Sequence, residues 1–336
     1  MTLWPEFESA LVQSLERNAK RTAQSPTRST HFTLRRQRAG AAAVAATAVG
    51  IVVALVVGGG GVGSSNASAA QLLRSAAEAA ANQPSPHLGP GEFYFVRGRT
   101  TTLVPISRSG AGTVPREAML APKARVTIDT WQAWSPTQVG AERIHVVDVS
   151  FPTSAARRRW EALGRPKLFA GASRVRRVPR LGNVIEILGP RSITVPQLLA
   201  LPDTARRVYE RLFAGVPGSV ALNVAFQCLY LYPLASGLRT AIYRALALVP
   251  GIHAGGKART LTGAVGDVLW ARAGGLPGVA LRAELIVDPH SGTVLGTRTV
   301  IAGPHSLLGV PAGTVYAQGA VVVRTETSSP GPPAGR

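Results

Sequence analysis

From Ala39 to Gly63 the chain runs 25 residues without a charge. No other feature constrains its fate as strongly. A helix of about 20 apolar residues crosses a hydrocarbon core of about 30 Å. The apolar part, Ala39 to Val57, is 19 residues long and eight of these are Ala, so the segment is only mildly apolar. Ile51, Val52, Leu55 and Val57 supply most of its insertion energy. Three readings compete: a permanent single-pass anchor, a cleaved signal peptide ending near Ala67-Ser68-Ala69, and a buried soluble helix. A signal core usually spans about 7–15 residues. The 38 residues ahead of this core, and its own length, favour the anchor.

Orientation follows from charge. Arg28, Arg35, Arg36 and Arg38 precede the segment, whereas only Arg74 and Arg97 are basic in the 35 residues after Gly63. Basic residues near a span stay on the cytoplasmic side, and long domains cross regardless of their own charge. The expected organisation is therefore a cytoplasmic segment (1–38), a membrane helix (39–61), an extracytoplasmic domain (62–327) and a disordered tail (328–336). The protein is expected in the cell membrane with its N-terminus inside.

The cytoplasmic segment carries Leu3, Phe7, Leu11 and Leu15 at helical spacing. A short amphipathic helix without a core of its own needs a surface. It either lies on the inner leaflet or docks a cytoplasmic partner.

The net charge is +20, with 37 basic against 17 acidic residues, and it attracts anions generally. All but four of the basic residues are Arg, a bias that also follows from a GC-rich genome. The densest patch lies between 157 and 180: Arg157, Arg158, Arg159, Arg174, Arg176 and Arg177, with Glu161 the one acidic residue among them. It is either a solvated face or a contact for anionic lipid or wall polymer. Export argues against nucleic acid, and no aromatic-interleaved RNA-type motif is present.

Beyond the membrane segment the pattern predicts an α+β domain. Alternating strands over 92–104, 124–134 and 142–151 are followed by helices over 154–164 and 195–249. Four more strands fill 267–326, with Asp288-Pro-His-Ser-Gly292 as a hairpin connection. Strands, then helices, then strands give an antiparallel sheet packed on one face by helices.

Chemistry is sparse. "GIHAGGK" (Gly251 to Lys257) has the spacing of a phosphate-binding loop, but Ala258 stands where such a loop needs Ser or Thr. It reads as a flexible glycine turn between a helix and a strand. The single cysteine, Cys228, sits in an apolar run and reads as a buried hydrophobe. The six histidines form no metal motif, and no nucleophile elbow is present. No cofactor and no catalytic residue are expected.

At Leu238 to Ile252 and Glu284 to Val300 the chain resembles the single-pass membrane proteins of actinobacteria that are often encoded beside extracytoplasmic-function sigma factors. The matching elements are Ala69-Ala70-Gln71-Leu72-Leu73, Phe93-Tyr94-Phe95, the helix end Tyr243 to Gly251 and the hairpin Asp288 to Gly292. A more distant similarity is to periplasmic sigma-regulator cofactors and lipoprotein carriers, which implies an open, curved antiparallel sheet packed by helices. The resemblance implies a non-enzymatic protein whose exported domain binds an envelope lipid, lipoprotein or anionic wall polymer, with a sigma factor as cytoplasmic partner. Two alternatives stand beside it: a lipid or lipoprotein carrier with an apolar groove, and a cell-wall-modifying enzyme.

Overall fold

The computed structural model describes residues 65–106, 122–135, 140–166, 168, 174–178, 184–188, 191–273, 280–303 and 311–327. The expected membrane residues Ala39, Ile51, Val52, Leu55 and Val57, and the amphipathic Leu3, Phe7, Leu11 and Leu15, lie outside these.

The chain opens with α1 (Ser65–Ala81), β1 (Phe93–Pro105), β2 (Lys123–Trp134), β3 (Gly140–Ser150), α2 (Ser154–Ala162) and β4 (Arg174–Val178). A small hairpin comes next, β5 (Val184–Leu188) and β6 (Arg191–Thr194). The helices are α3 (Val195–Leu199), α4 (Ala205–Val208, running into a π-helical turn over Tyr209–Phe213), α5 (Gly218–Leu231) and α6 (Ser236–Leu246). The strands β7 (His253–Arg259), β8 (Val265–Ala273), β9 (Leu281–Asp288), β10 (Thr293–Ile301) and β11 (Val315–Thr327) complete it.

Nine strands form one antiparallel sheet in the order β4-β3-β2-β1-β11-β10-β9-β8-β7. The last strand thus pairs with the first and joins two meanders into one surface. The α+β class and the antiparallel sheet agree with the sequence reading. Two strands do not. β4 and β7 are short, rich in Arg or Gly, and lack the β-branched alternation that marks a strand. Gly251 turns the chain with φ 77°, and Gly255 and Gly256 then lie within β7 rather than in a flexible turn. Gly255 is held because a side chain there would strike the Trp270 ring on β8. The glycine stretch therefore leads into a strand and not a helix, and Lys257 faces Asp267 at 3.4 Å.

Helices cover one sheet face. α5 is apolar all round, and 12 of its 14 residues are buried, so it forms the centre of the core. α6 presents Leu238, Ala241, Ile242, Ala245 and Leu246 to that core, spaced three and four apart. α1 contributes Ala69, Leu73, Ala76, Ala77 and Ala80. These small residues let its backbone approach closely. At Gly292 (φ 62°) in the β9–β10 connection, a side chain would collide with α1 at Ala76 and Ala80. α2 covers the β1–β3 end through Ala156 and Trp160, packed with Val126, Ile128 and Ile144.

Among the described residues no single helix is long and apolar enough to cross a membrane. The segments Ala205–Phe213 and Gly218–Leu231 pass together by length and composition only, bent by 113°. α5, the apolar half of that pair, is the buried core helix.

Candidate functional site

Strand alternation decides what the sheet face turned away from the described helices carries. Tyr94 and Val96 pack into the helical core, so Arg97 and Arg99 point the other way. Ile128 packs under α2, so Asp129 points with them. Leu285 and Val287 are core, so Glu284 projects to the opposite face, and Arg298 pairs directly across from it.

Two matching clamps result. Asp129 accepts from Arg97 Nη2 at 2.7 Å, and from Arg99 Nε at 2.7 Å and Nη2 at 3.0 Å. Glu284 accepts from Arg298 Nε at 2.7 Å and Nη2 at 2.5 Å, and its other oxygen forms an ion pair, without a hydrogen bond, with Arg282 Nη2 at 2.5 Å. In each clamp the carboxylate lies beneath and the cations above. Asp129 and Glu284 side chains are 11% and 0% exposed, against 35%, 36%, 37% and 20% for Arg97, Arg99, Arg282 and Arg298. One carboxylate serves two guanidiniums, so each clamp keeps one surplus positive charge. The buried acid fixes the arginines, and their unused N–H groups remain available to an anion. Burial opposes ionisation of Asp129, but the hydrogen bonds and charges of Arg99 and Arg97 outweigh it and hold the carboxyl below its ordinary range.

Aromatic rings flank the clamps. Arg282 lies over the Trp270 ring at 5.4 Å, and His253 meets the same ring at 4.5 Å. Trp131 lies 6.1 Å from Phe95 beside the first clamp. On the backbone, Arg298 is opposite Gln318 and Gln318 is opposite Thr101. Strand spacings of about 4.8 Å and a rise of about 3.4 Å per residue put the Arg99 and Arg298 backbones roughly 12 Å apart.

The basic patch of the sequence maps elsewhere. Arg157, Arg158 and Arg159 are exposed on α2. Arg157 makes a long contact with Glu161 at 3.9 Å. Arg174, Arg176 and Arg177 lie on β4, the edge strand, where Arg176 pairs in register with Glu142. The fold thus gathers both halves of the patch at one end of the sheet. It does not bring them to the clamps. The clamps escaped sequence reading because Arg97 and Asp129 are 32 residues apart, Arg298 and Glu284 are 14 apart, and both pairs join across strands; of the clamp ion pairs, only Arg282–Glu284 lies within one strand. The one available signal was alternation, which places Arg97 with Arg99 and Arg282 with Glu284 on single faces.

The sequence motifs behind the resemblance meet inside the core. The Tyr243 hydroxyl donates to the Gly292 carbonyl at 2.9 Å, so the helix-end motif latches the hairpin motif. Asp288 shapes the hairpin by accepting from the His290 backbone N–H at 3.0 Å and the Ser291 hydroxyl at 2.7 Å. These motifs are architectural. Cys228 is fully buried, and burial pushes its thiol up to about 12. Among the described residues no group of three or more His, Cys, Asp or Glu side chains is placed to hold a metal ion.

No family model matches the chain, and no curated protein matches it. A solved structure, the Pseudomonas aeruginosa MucA/MucB complex, aligns at 12% identity over 77% of this chain and 57% of that one. The chain thus spans a little over half of that protein's length. The TM-score is 0.24, too low to establish a shared fold.

Proposed function

We propose that this protein is a non-enzymatic, membrane-anchored interaction protein whose exported domain binds an anionic envelope partner on the sheet face turned away from the described helices. The observation that carries this is the pair of clamps Arg97–Asp129–Arg99 and Arg282–Glu284–Arg298. A carboxylate with no more than 11% exposure beneath two outward guanidiniums is a pre-set anion receptor. The flanking Trp131 and Trp270 add flat surface for a partner that is part apolar. The anchor and its orientation follow from the uncharged stretch and the flanking arginines. In this reading the N-terminal amphipathic stretch links the event outside to a cytoplasmic partner, a sigma factor being the one the sequence resemblance implies.

The test uses the full-length protein in its own membrane. A β-lactamase fused at the C-terminus should confer resistance, because the domain lies outside. The detergent-solubilised protein should be retained on polyglutamate resin and elute later than a double variant Arg99→Gln, Arg298→Gln of equal thermal stability. Retention that is unchanged in the double variant refutes the binding face. Resistance conferred only by an N-terminal fusion refutes the topology. Deleting 2–30 should leave retention on the resin intact and abolish co-purification of a sigma factor with the protein; co-purification that survives the deletion refutes the cytoplasmic link.

A further inference from the structure

On the other side of the sheet, beneath the helices, two arginines lack the carboxylates that the clamps possess. Arg324 on β11 stacks over the Tyr230 ring at 5.6 Å and donates from Nη2 to the Val294 carbonyl at 3.0 Å. Arg239 on α6 donates from Nη2 to the Gln83 and Pro84 carbonyls at 3.1 and 2.9 Å. Among the described residues neither forms an ion pair, and the Nε of each is buried with no hydrogen-bond partner.

Hydrogen bonds bring the two arginines to one place: Arg239 holds the Gln83 carbonyl, the Gln83 side chain donates to Thr293 Oγ1 at 3.0 Å, and Arg324 holds the carbonyl of the next residue, Val294. Register places Tyr94 opposite Glu326 and Val96 opposite Arg324, so Tyr94 and Arg324 are diagonal neighbours on one face. Both arginines bear on Tyr94 and on Tyr243, and Arg239 feels the Arg324 charge. The acidic groups that the surrounding tyrosines feel are Glu326, which is exposed, Asp129, which is clamped on the far face, and Asp288, already bound in its turn. Burial lowers Arg239, as a cation with no counter-charge must be.

Two half-buried cations without a counterion are costly. Each unpaired Nε–H adds the cost of an unmade bond. Backbone carbonyls take one nitrogen of each guanidinium and fix its plane. The remaining donors are left for one acceptor that carries charge. We propose that Arg239 and Arg324, with Tyr94 beside them, form a binding site for a phosphate-type oxyanion. A phosphate dianion balances two guanidiniums, whereas a single carboxylate leaves one uncompensated. The site is separate from the clamps and does not depend on them.

The experiment monitors thermal unfolding of the full-length, detergent-solubilised protein at constant ionic strength. Inorganic phosphate and glycerol 3-phosphate are the free probes, and dihexanoyl phosphatidic acid is the acylated probe. Saturating ligand should raise Tm by about 5 °C relative to chloride. Arg324→Gln and Arg239→Gln should each abolish the shift, Arg324→Lys should retain part of it, and the surface variant Arg206→Gln should retain all of it. Equal shifts by all three probes identify free phosphate as sufficient. A shift by the acylated probe alone identifies a lipid headgroup. Phosphorus analysis of the purified protein covers a site that is already filled, with about one phosphorus per chain expected in the wild type and none in Arg324→Gln. If no probe shifts the wild type beyond chloride and the purified protein carries no phosphorus, the site does not exist. If either glutamine variant fails to fold, the phosphorus content and shift of Arg324→Lys and the wild type still decide.

Discussion

Gly98 on β1 and Tyr230 on α5 compete for the same space. A β-carbon at Gly98 would fall inside the van der Waals envelope of the Tyr230 hydroxyl. The glycine is needed for room rather than for an unusual backbone angle, since its φ is not in the left-handed region. Through that gap the tyrosine reaches Thr130 on β2. Gly98→Ala should therefore destabilise the domain by about 2–3 kcal/mol, as overpacking does. Tyr230→Phe in the same chain should recover part of that loss. Urea unfolding of the four members of the cycle measures it, and strictly additive losses would refute the steric account.

The latch between α6 and the β9–β10 hairpin should be sensitive to one atom. Tyr243→Phe removes the donor to Gly292 and leaves a buried carbonyl unpaired, at a cost of about 1–3 kcal/mol. Amide exchange at 288–293 should accelerate more than exchange in β1–β2. Uniform acceleration across the sheet would mean that the hydroxyl holds no particular element.

Breaking a clamp should cost more at the buried carboxylate. Glu284→Gln strands two guanidiniums above a fully buried site and should destabilise by about 3 kcal/mol. Asp129→Asn, whose carboxylate is 11% exposed against 0% for Glu284, should cost less. Chemical denaturation ranks the two, and the reverse order would contradict the burial argument.

Alkaline pH should reveal two opposed groups. Burial lowers Lys123 from 10.5 to about 8. Its charge is penalised in the fold, so stability rises as pH climbs from about 8 towards 10.5, by about 2 kcal/mol. Burial raises Tyr94, Tyr230, Tyr243 and Tyr316 above 10.0. Their contribution is complete below pH 10 and is lost above it, as the unfolded chain ionises first. Stability should therefore peak near pH 10 and fall steeply beyond it. Lys123→Met should flatten the rise and leave the fall. A rise that persists in that variant would assign it to another group.

Much of the fold was legible in the chain. The strands over 93–105, 123–134, 140–150 and 281–301 follow β-branched and aromatic alternation. α1 and α6 follow their apolar stripes, and the 288–292 turn follows Asp, Pro and Gly. β4 and β7 were not legible. "RVRRV" is too short to alternate clearly, and "HAGGKAR" carries two glycines and no β-branched residue; each is seen as a strand only through its pairing with β3 or β8. The candidate site was hidden for a related reason. Arg157 to Arg159 advertise themselves as a run, yet they sit exposed on a helix. Arg97, Asp129, Arg282 and Arg298 look like isolated charges until strands join them.

The sequence by itself determined the local matters: the uncharged stretch at 39–63, the surplus of arginine, the apolar periodicities and the turn at Asp288. Each depends on residues within a few positions of one another, where backbone geometry alone sets what meets. Only the tertiary structure decided that β11 pairs with β1, so that Arg324 comes to lie against Tyr230 without a carboxylate partner. Only it decided that two acids would each be buried beneath two arginines. Those charges meet through sheet register, and register is a property of strands brought together by burial rather than of any one segment.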